Sequence, residues 1–269
     1  MLSVIVLACY LACAAWLASG VYRMESTAAR GQRVAGLALG TVSVAAHAVL
    51  LWSAIFSEAE LAFSIAETAS LIGWLIGLIA LIWTWRRPRF AGIGAILMVV
   101  AGIVAATTDE GARSFALREH NWELAAHIIL STTAYALLTI AAAMTIALAL
   151  LDRRLRSRRP LGWLAILPSV EALEAAMFQA LGAGFALLTL ALFSGFIFIE
   201  DLFAQNLSRK TILSCLAWIV FGILLIGRWR FGWRGRTATR WTLSGFALLG
   251  LAYFGSKIVL ESILHRHWG

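Results

Sequence analysis

The chain has 269 residues, of which 61% are hydrophobic and only 13% charged, and its mean hydropathy is +0.86. Soluble domains carry nearer a quarter charged residues, so a water-soluble fold is excluded. The formal net charge of +8 would suit a nucleic-acid partner in a soluble protein, but its placement along the chain matches a bilayer and leaves no reason to invoke nucleic acid.

Apolar runs long enough to cross a hydrocarbon core of about 30 Å fall at roughly 2–22, 34–53, 69–85, 91–107, 124–151, 179–199, 212–227 and 241–261. The expected fold class is therefore all-α, a polytopic membrane bundle of about eight transmembrane helices forming a single domain over 1–269. Sixteen of the 22 Lys and Arg residues lie in the connections that follow odd-numbered runs: Arg23 to Arg33, Arg86 to Arg89, Arg153 to Arg159 and Arg228 to Arg240. Positive charge is retained on the cytoplasmic side, which predicts that both termini are extracytoplasmic. The first run has no basic residue ahead of it and is expected to be a retained span rather than a cleaved leader.

Between the fifth and sixth runs, a basic turn leads to Leu167-Pro168-Ser169-Val170-Glu171-Ala172-Leu173-Glu174. Ser169 suits an N-cap and Glu171 suits a first turn, so a short amphipathic helix is expected near 168–178, lying on the cytoplasmic interface. Cys9, Cys13 and Cys215 all fall within apolar runs, where thiolate chemistry is disfavoured. No Cys-x-x-Cys-His, P-loop or Gly-x-Gly-x-x-Gly occurs, so the chain is not itself a c-type cytochrome and shows no soluble-enzyme motif.

On this topology all five histidines lie toward the extracytoplasmic face: His47 in the outer half of the second run, His120 before the fifth, His127 one turn into the fifth, and His265 and His267 at the C-terminus. An ionisable group within a bilayer is costly and normally has a partner, and neutral imidazole ligates haem iron and other metals. His47 and His127 are thus candidate ligands. The competing reading for each is an interhelical hydrogen bond to Ser, Thr or a backbone carbonyl. Zinc chemistry has little support, because no His-Glu-x-x-His is present. Lys210 and Arg266, among the few outer basic residues, could pair with haem propionates, although solvation explains them equally well. Most of the twelve tryptophans fall near run ends, as interfacial belts require.

Three stretches resemble the cytochrome c assembly superfamily of CcsA- and CcmC-like proteins, within its smaller eight-helix HemX and YpjD-type branch. One is Ala126-His127-Ile128-Ile129-Leu130-Ser131-Thr132-Thr133-Ala134-Tyr135-Ala136. Another runs from Leu167 through Met177-Phe178-Gln179-Ala180-Leu181-Gly182 to Ser194-Gly195. The last, Gly232-Trp233-Arg234-Gly235-Arg236 with Gly245-Phe246 and Tyr253-Phe254-Gly255, ends in Leu264-His265-Arg266-His267. The resemblance implies a bacterial inner-membrane factor that handles haem b at the extracytoplasmic face during cytochrome c maturation, alongside other maturation proteins and with no catalysis of its own. It implies that His127 and His265 match paired external haem ligands and that His47 matches a histidine within the membrane. Two features depart from the large haem-delivering members. Their tryptophan-rich external segment is replaced by Phe196-Ile197-Phe198-Ile199-Glu200-Asp201-Leu202-Phe203, and their second intramembrane histidine by Ile226-Gly227-Arg228. Two further readings stay open: a membrane b-type cytochrome passing electrons from quinol, and a haem-free regulator or scaffold of tetrapyrrole synthesis that docks through the basic turn.

Overall fold

Lipid offers the backbone no hydrogen-bond partners, so apolar runs of this length must satisfy their own N–H and C=O groups as helices. A computed structural model of the protein describes residues 2–22, 27–55, 61–63, 65–107, 115–117, 122–198 and 205–255. It contains α1 (Leu2–Tyr22), α2 (Thr27–Ile55), α3 (Ile65–Arg86), α4 (Ala91–Ala106), α5 (Trp122–Arg156), α6 (Val170–Phe198), α7 (Gln205–Phe231) and α8 (Gly235–Gly250). Among the described residues, α1 to α7 are long and apolar enough to cross a membrane. α8 starts six residues before its apolar run and passes into a π-helical turn, Leu251–Gly255.

Large apolar side chains stay on the outside of these helices. Ile129, Phe193 and Ile197 are 63%, 62% and 71% exposed, a pattern that water penalises and acyl chains accept. The all-α bundle thus follows from composition. One detail does not: β1 (Leu61–Phe63) pairs antiparallel with β2 (Phe115–Leu117), Ala62 opposite Ala116. These strands join the α2–α3 connection to the α4–α5 connection, and three-residue strands carry too little periodicity to be seen in sequence.

The sequence reads as one domain, whereas the packing resolves two compact units. One comprises Met1–His120 with Leu150–Leu173, the other Asn121–Ala149 with Glu174–Gly269, so α5 and α6 each contribute to both. In the first unit, α1 packs on α2 and α4, and α3 packs on the same two helices. α3 ends at Arg86, shortly before Pro88, because the residue preceding a proline is pushed out of helical conformation. Its last carbonyls are then capped from α2: the Arg33 guanidinium donates to Trp85 O at 2.7 Å and to Thr84 O at 3.4 Å.

At this basic end the 3-10 turn Gly162–Ile166 also packs against α1 and α4. Gly92 on α4 meets the Ile166 carbonyl so closely that a Cβ there would overlap backbone atoms. Gly92→Ala is expected to destabilise the protein by about 1–3 kcal/mol, since a backbone carbonyl cannot turn aside as a side chain can. A thermal-unfolding midpoint in detergent that matches the parent protein would contradict this close approach.

Ser169 caps α6 as its sequence suggests, its Oγ accepting from the Ala172 N–H at 3.3 Å. The helix it starts is not a separate interfacial piece, however. α6 runs unbroken from Val170 to Phe198, and 29 residues exceed the roughly 20 that a bilayer core needs. The stretch expected as its own element near 168–178 is therefore the first turns of a long spanning helix.

In the second unit, Arg228 on α7 donates to Glu174 on α6 at 2.9 Å and lies 4.6 Å from the Phe178 ring centroid. Arg234 approaches the same carboxylate at 3.8 Å. Deeper in, Trp218 Nε1 donates to Thr189 Oγ1 at 2.8 Å while its ring stacks on Phe185. Tyr135 on α5 donates to Leu249 O on α8 at 3.4 Å.

Candidate functional site

Of the histidines, the described residues include His47 and His127, one in each unit. His265 and Arg266, and also His120 and His267, lie outside the described residues. Lys210 sits in the first turns of α7, exposed.

His127 is four residues from Glu123 near the start of α5, and Ser194 is four residues before the end of α6. The helices run in opposite directions, so this pair occupies the end of the second unit away from Glu174 and Arg228. His127 Nδ1 is 2.9 Å from Ser194 Oγ. The hydroxyl has one proton, and Ser194 Oγ donates it to Ala191 O at 2.9 Å, one turn back on its own helix. Ser194 must then accept, which makes His127 Nδ1 the donor and leaves the Nε2 lone pair free. The Ala191 carbonyl is also within hydrogen-bonding reach of the ring, and no side chain among the described residues bonds Nε2.

The neighbour of Ser194 completes this arrangement. A Cβ on Gly195 would lie 3.2 Å from His127 Cε1, so the missing side chain is what lets the ring edge rest against α6. The ring is partly exposed. An imidazole held at one nitrogen with its other nitrogen available suits ligation of haem iron or another metal that takes imidazole. Sequence alone places Ser194-Gly195 within a resembling stretch but gives it no task; spatially, it orients the histidine 67 residues earlier.

His47 is arranged differently. It is fully buried between three helices, with Nε2 2.9 Å from Ser70 Oγ on α3 and Nδ1 3.2 Å from the Tyr10 hydroxyl on α1. The Tyr10 ring meets the imidazole edge-on, with centroids 5.7 Å apart. Either tautomer satisfies both contacts, one nitrogen donating and the other accepting. Both nitrogens are committed, so His47 matches the interhelical hydrogen-bond reading as it stands. Among the described residues, no cluster of three or more His, Cys, Asp or Glu side chains could hold a metal ion.

The family model described as Cytochrome C assembly protein matches residues 37–264, a span that contains His47, His127, Ser194, Gly195 and Lys210 and stops one residue short of His265. The chain belongs to the cytochrome c assembly protein family. It is 39% identical over 137 residues to the inner membrane protein YpjD of Escherichia coli K12, covering 51% of this chain and 52% of that one. An uncharacterized 28.8 kDa protein from the nifR3-like 5′ region of Azospirillum brasilense is 39% identical over 140 residues, with the same coverage. The cytochrome c biogenesis protein CcsA of Mesostigma viride is 28% identical over 93 residues, 34% of this chain and 30% of that one. The chain thus matches about half the length of the first two of these relatives. No solved structure matches it significantly. Its apolar helices and its likeness to an inner-membrane relative make it a multi-pass protein of the inner membrane.

Proposed function

We propose that the protein is a non-enzymatic haem-handling factor that supports cytochrome c assembly from the extracytoplasmic side of the membrane. The observation that carries this reading is the His127 imidazole, tied at Nδ1 by Ser194, given room by Gly195, and open at Nε2. Family membership supports the same direction.

In this reading His127 and His265 would hold haem b, and Lys210 and Arg266 would pair with its propionates. The bound group would supply an iron centre to be carried, not one that turns over substrate. His47 could join the ligand set only by releasing Tyr10 or Ser70, so its role here is to bind three helices together. The orientation rests on charge. The connections rich in arginine take the cytoplasmic side, which sets the His127 end outside.

Ser194→Ala separates the positioning of the ring from ligation itself. Without its acceptor the imidazole can rotate and change tautomer, and loss of such a partner lowers metal affinity by about 10–100-fold. Haem titration of the detergent-purified protein should show that loss in Ser194→Ala with the histidine-ligated spectrum retained at saturation. If the parent protein develops no histidine-type Soret band, or Ser194→Ala titrates like the parent, the proposal fails.

A further inference from the structure

The loop between α5 and α6 holds a feature that neither haem nor the histidines use. A cavity of about 370 Å³ opens there, lined by Arg153, Arg154, Ser157, Arg159, Trp163 and Leu164, with Leu150 at its inner edge. That volume is in the range of small-ligand sites. Its lining combines three arginines and a serine with a tryptophan and two leucines.

The arginines differ in how they are occupied. Arg156 is taken up by Asp152, its Nε lying 2.9 Å and 3.0 Å from the two carboxylate oxygens. Arg153, Arg154 and Arg159 are exposed, and among the described residues none has an acidic partner. The backbone keeps them together. α5 ends in a Schellman turn, with Arg159 N–H bonded to Arg154 O at 3.3 Å and Arg158 N–H to Leu155 O at 3.1 Å. Arg158, the donor of the second bond, sits at φ +50°, a left-handed position normally given to glycine. A non-glycine residue there costs about 1–2 kcal/mol. That strain folds Arg159 back beside Arg153 and Arg154 rather than letting the chain run on.

The cavity also sits at the right depth. The apolar stretch of α5 gives way to charge at Asp152, so Leu150 marks the hydrocarbon edge and the arginines the headgroup level. Trp163 is 54% exposed, as an indole at that level commonly is. Guanidinium forks bind phosphate oxygens in pairs, and the leucines and indole suit the glycerol and first methylenes of a lipid rather than a free, fully hydrated anion.

We infer that this cavity binds the phosphate headgroup of an anionic phospholipid from the cytoplasmic leaflet. The site is independent of the haem reading and survives if that reading fails.

Native mass spectrometry of the full-length protein in detergent tests it, with phosphatidylglycerol and phosphatidylcholine as probes and inorganic phosphate as competitor. The variant Arg153→Gln/Arg154→Gln/Arg159→Gln should lose phosphatidylglycerol affinity by at least about tenfold, since each basic group near an anionic surface contributes about fivefold before screening. Arg86→Gln/Arg87→Gln/Arg89→Gln removes the same charge from another basic connection and should change affinity less than about twofold. The single change Arg154→Gln, gentler on the turn, should give an intermediate loss. Equal loss in both triple variants, equal retention of phosphatidylcholine, or displacement of the lipid by millimolar inorganic phosphate would each overturn the assignment.

Discussion

In haem-reconstituted protein, His127→Ala should shift and weaken the Soret band, leaving His265 as the remaining histidine ligand, and lower haem affinity by more than the roughly 10–100-fold that loss of an outer hydrogen-bond partner produces. The ligand itself is removed in this variant, while its surroundings persist. Ser194 keeps its bond to the Ala191 carbonyl, and Gly195 leaves the vacated space open. That space should accept a small replacement, so millimolar free imidazole is expected to restore a parent-like spectrum in His127→Ala and to do little in the parent protein. Rescue would separate loss of a ligand from loss of the fold. A spectrum unchanged by the substitution would exclude His127 as an iron ligand, and with it the proposed role of Ser194.

The second large effect concerns stability. His47→Ala removes two hydrogen bonds and leaves the Tyr10 hydroxyl facing a void in a fully buried site. Leaving a buried polar group without its partner costs about 1–3 kcal/mol, and interhelical hydrogen bonds in bilayers lie at the lower end of that range. With the cavity included, a loss of about 2–4 kcal/mol is expected, seen as a clearly lowered thermal midpoint in detergent. Tyr10→Phe should cost about 1 kcal/mol, because it deletes one bond and keeps the ring. The haem spectrum of His47→Ala should keep the parent band position. A shifted Soret band would mean that His47 does ligate iron after giving up Ser70 or Tyr10.

These two histidines show how far sequence reaches. Both are legible as polar residues in apolar runs, and each was open to the same two readings, ligand or interhelical hydrogen bond. What separates them is how many ring nitrogens are occupied, which depends on Tyr10, 37 positions away, on Ser70, 23 away, and on Ser194, 67 away. No local pattern encodes those distances. The helices themselves were readable, because hydrophobic length alone forces them, and so was the Ser169 cap, because a cap acts over three residues. The unbroken course of α6 was not, since the amphipathic look of residues 168–178 reports the environment of a segment rather than where its helix ends. The β1–β2 pair was hidden for the opposite reason, its partners being 54 residues apart and only three residues long.

Arg33 links two processes usually treated apart. Its charge belongs to the set from which the positive-inside rule predicts the orientation of the chain, and the same guanidinium seals the end of α3 through the Thr84 and Trp85 carbonyls. A topogenic signal is thereby reused as a latch. The latch can close only when α2 and α3 lie antiparallel with these two ends on the same side of the bilayer, so a hairpin in which one helix fails to insert is left unlatched.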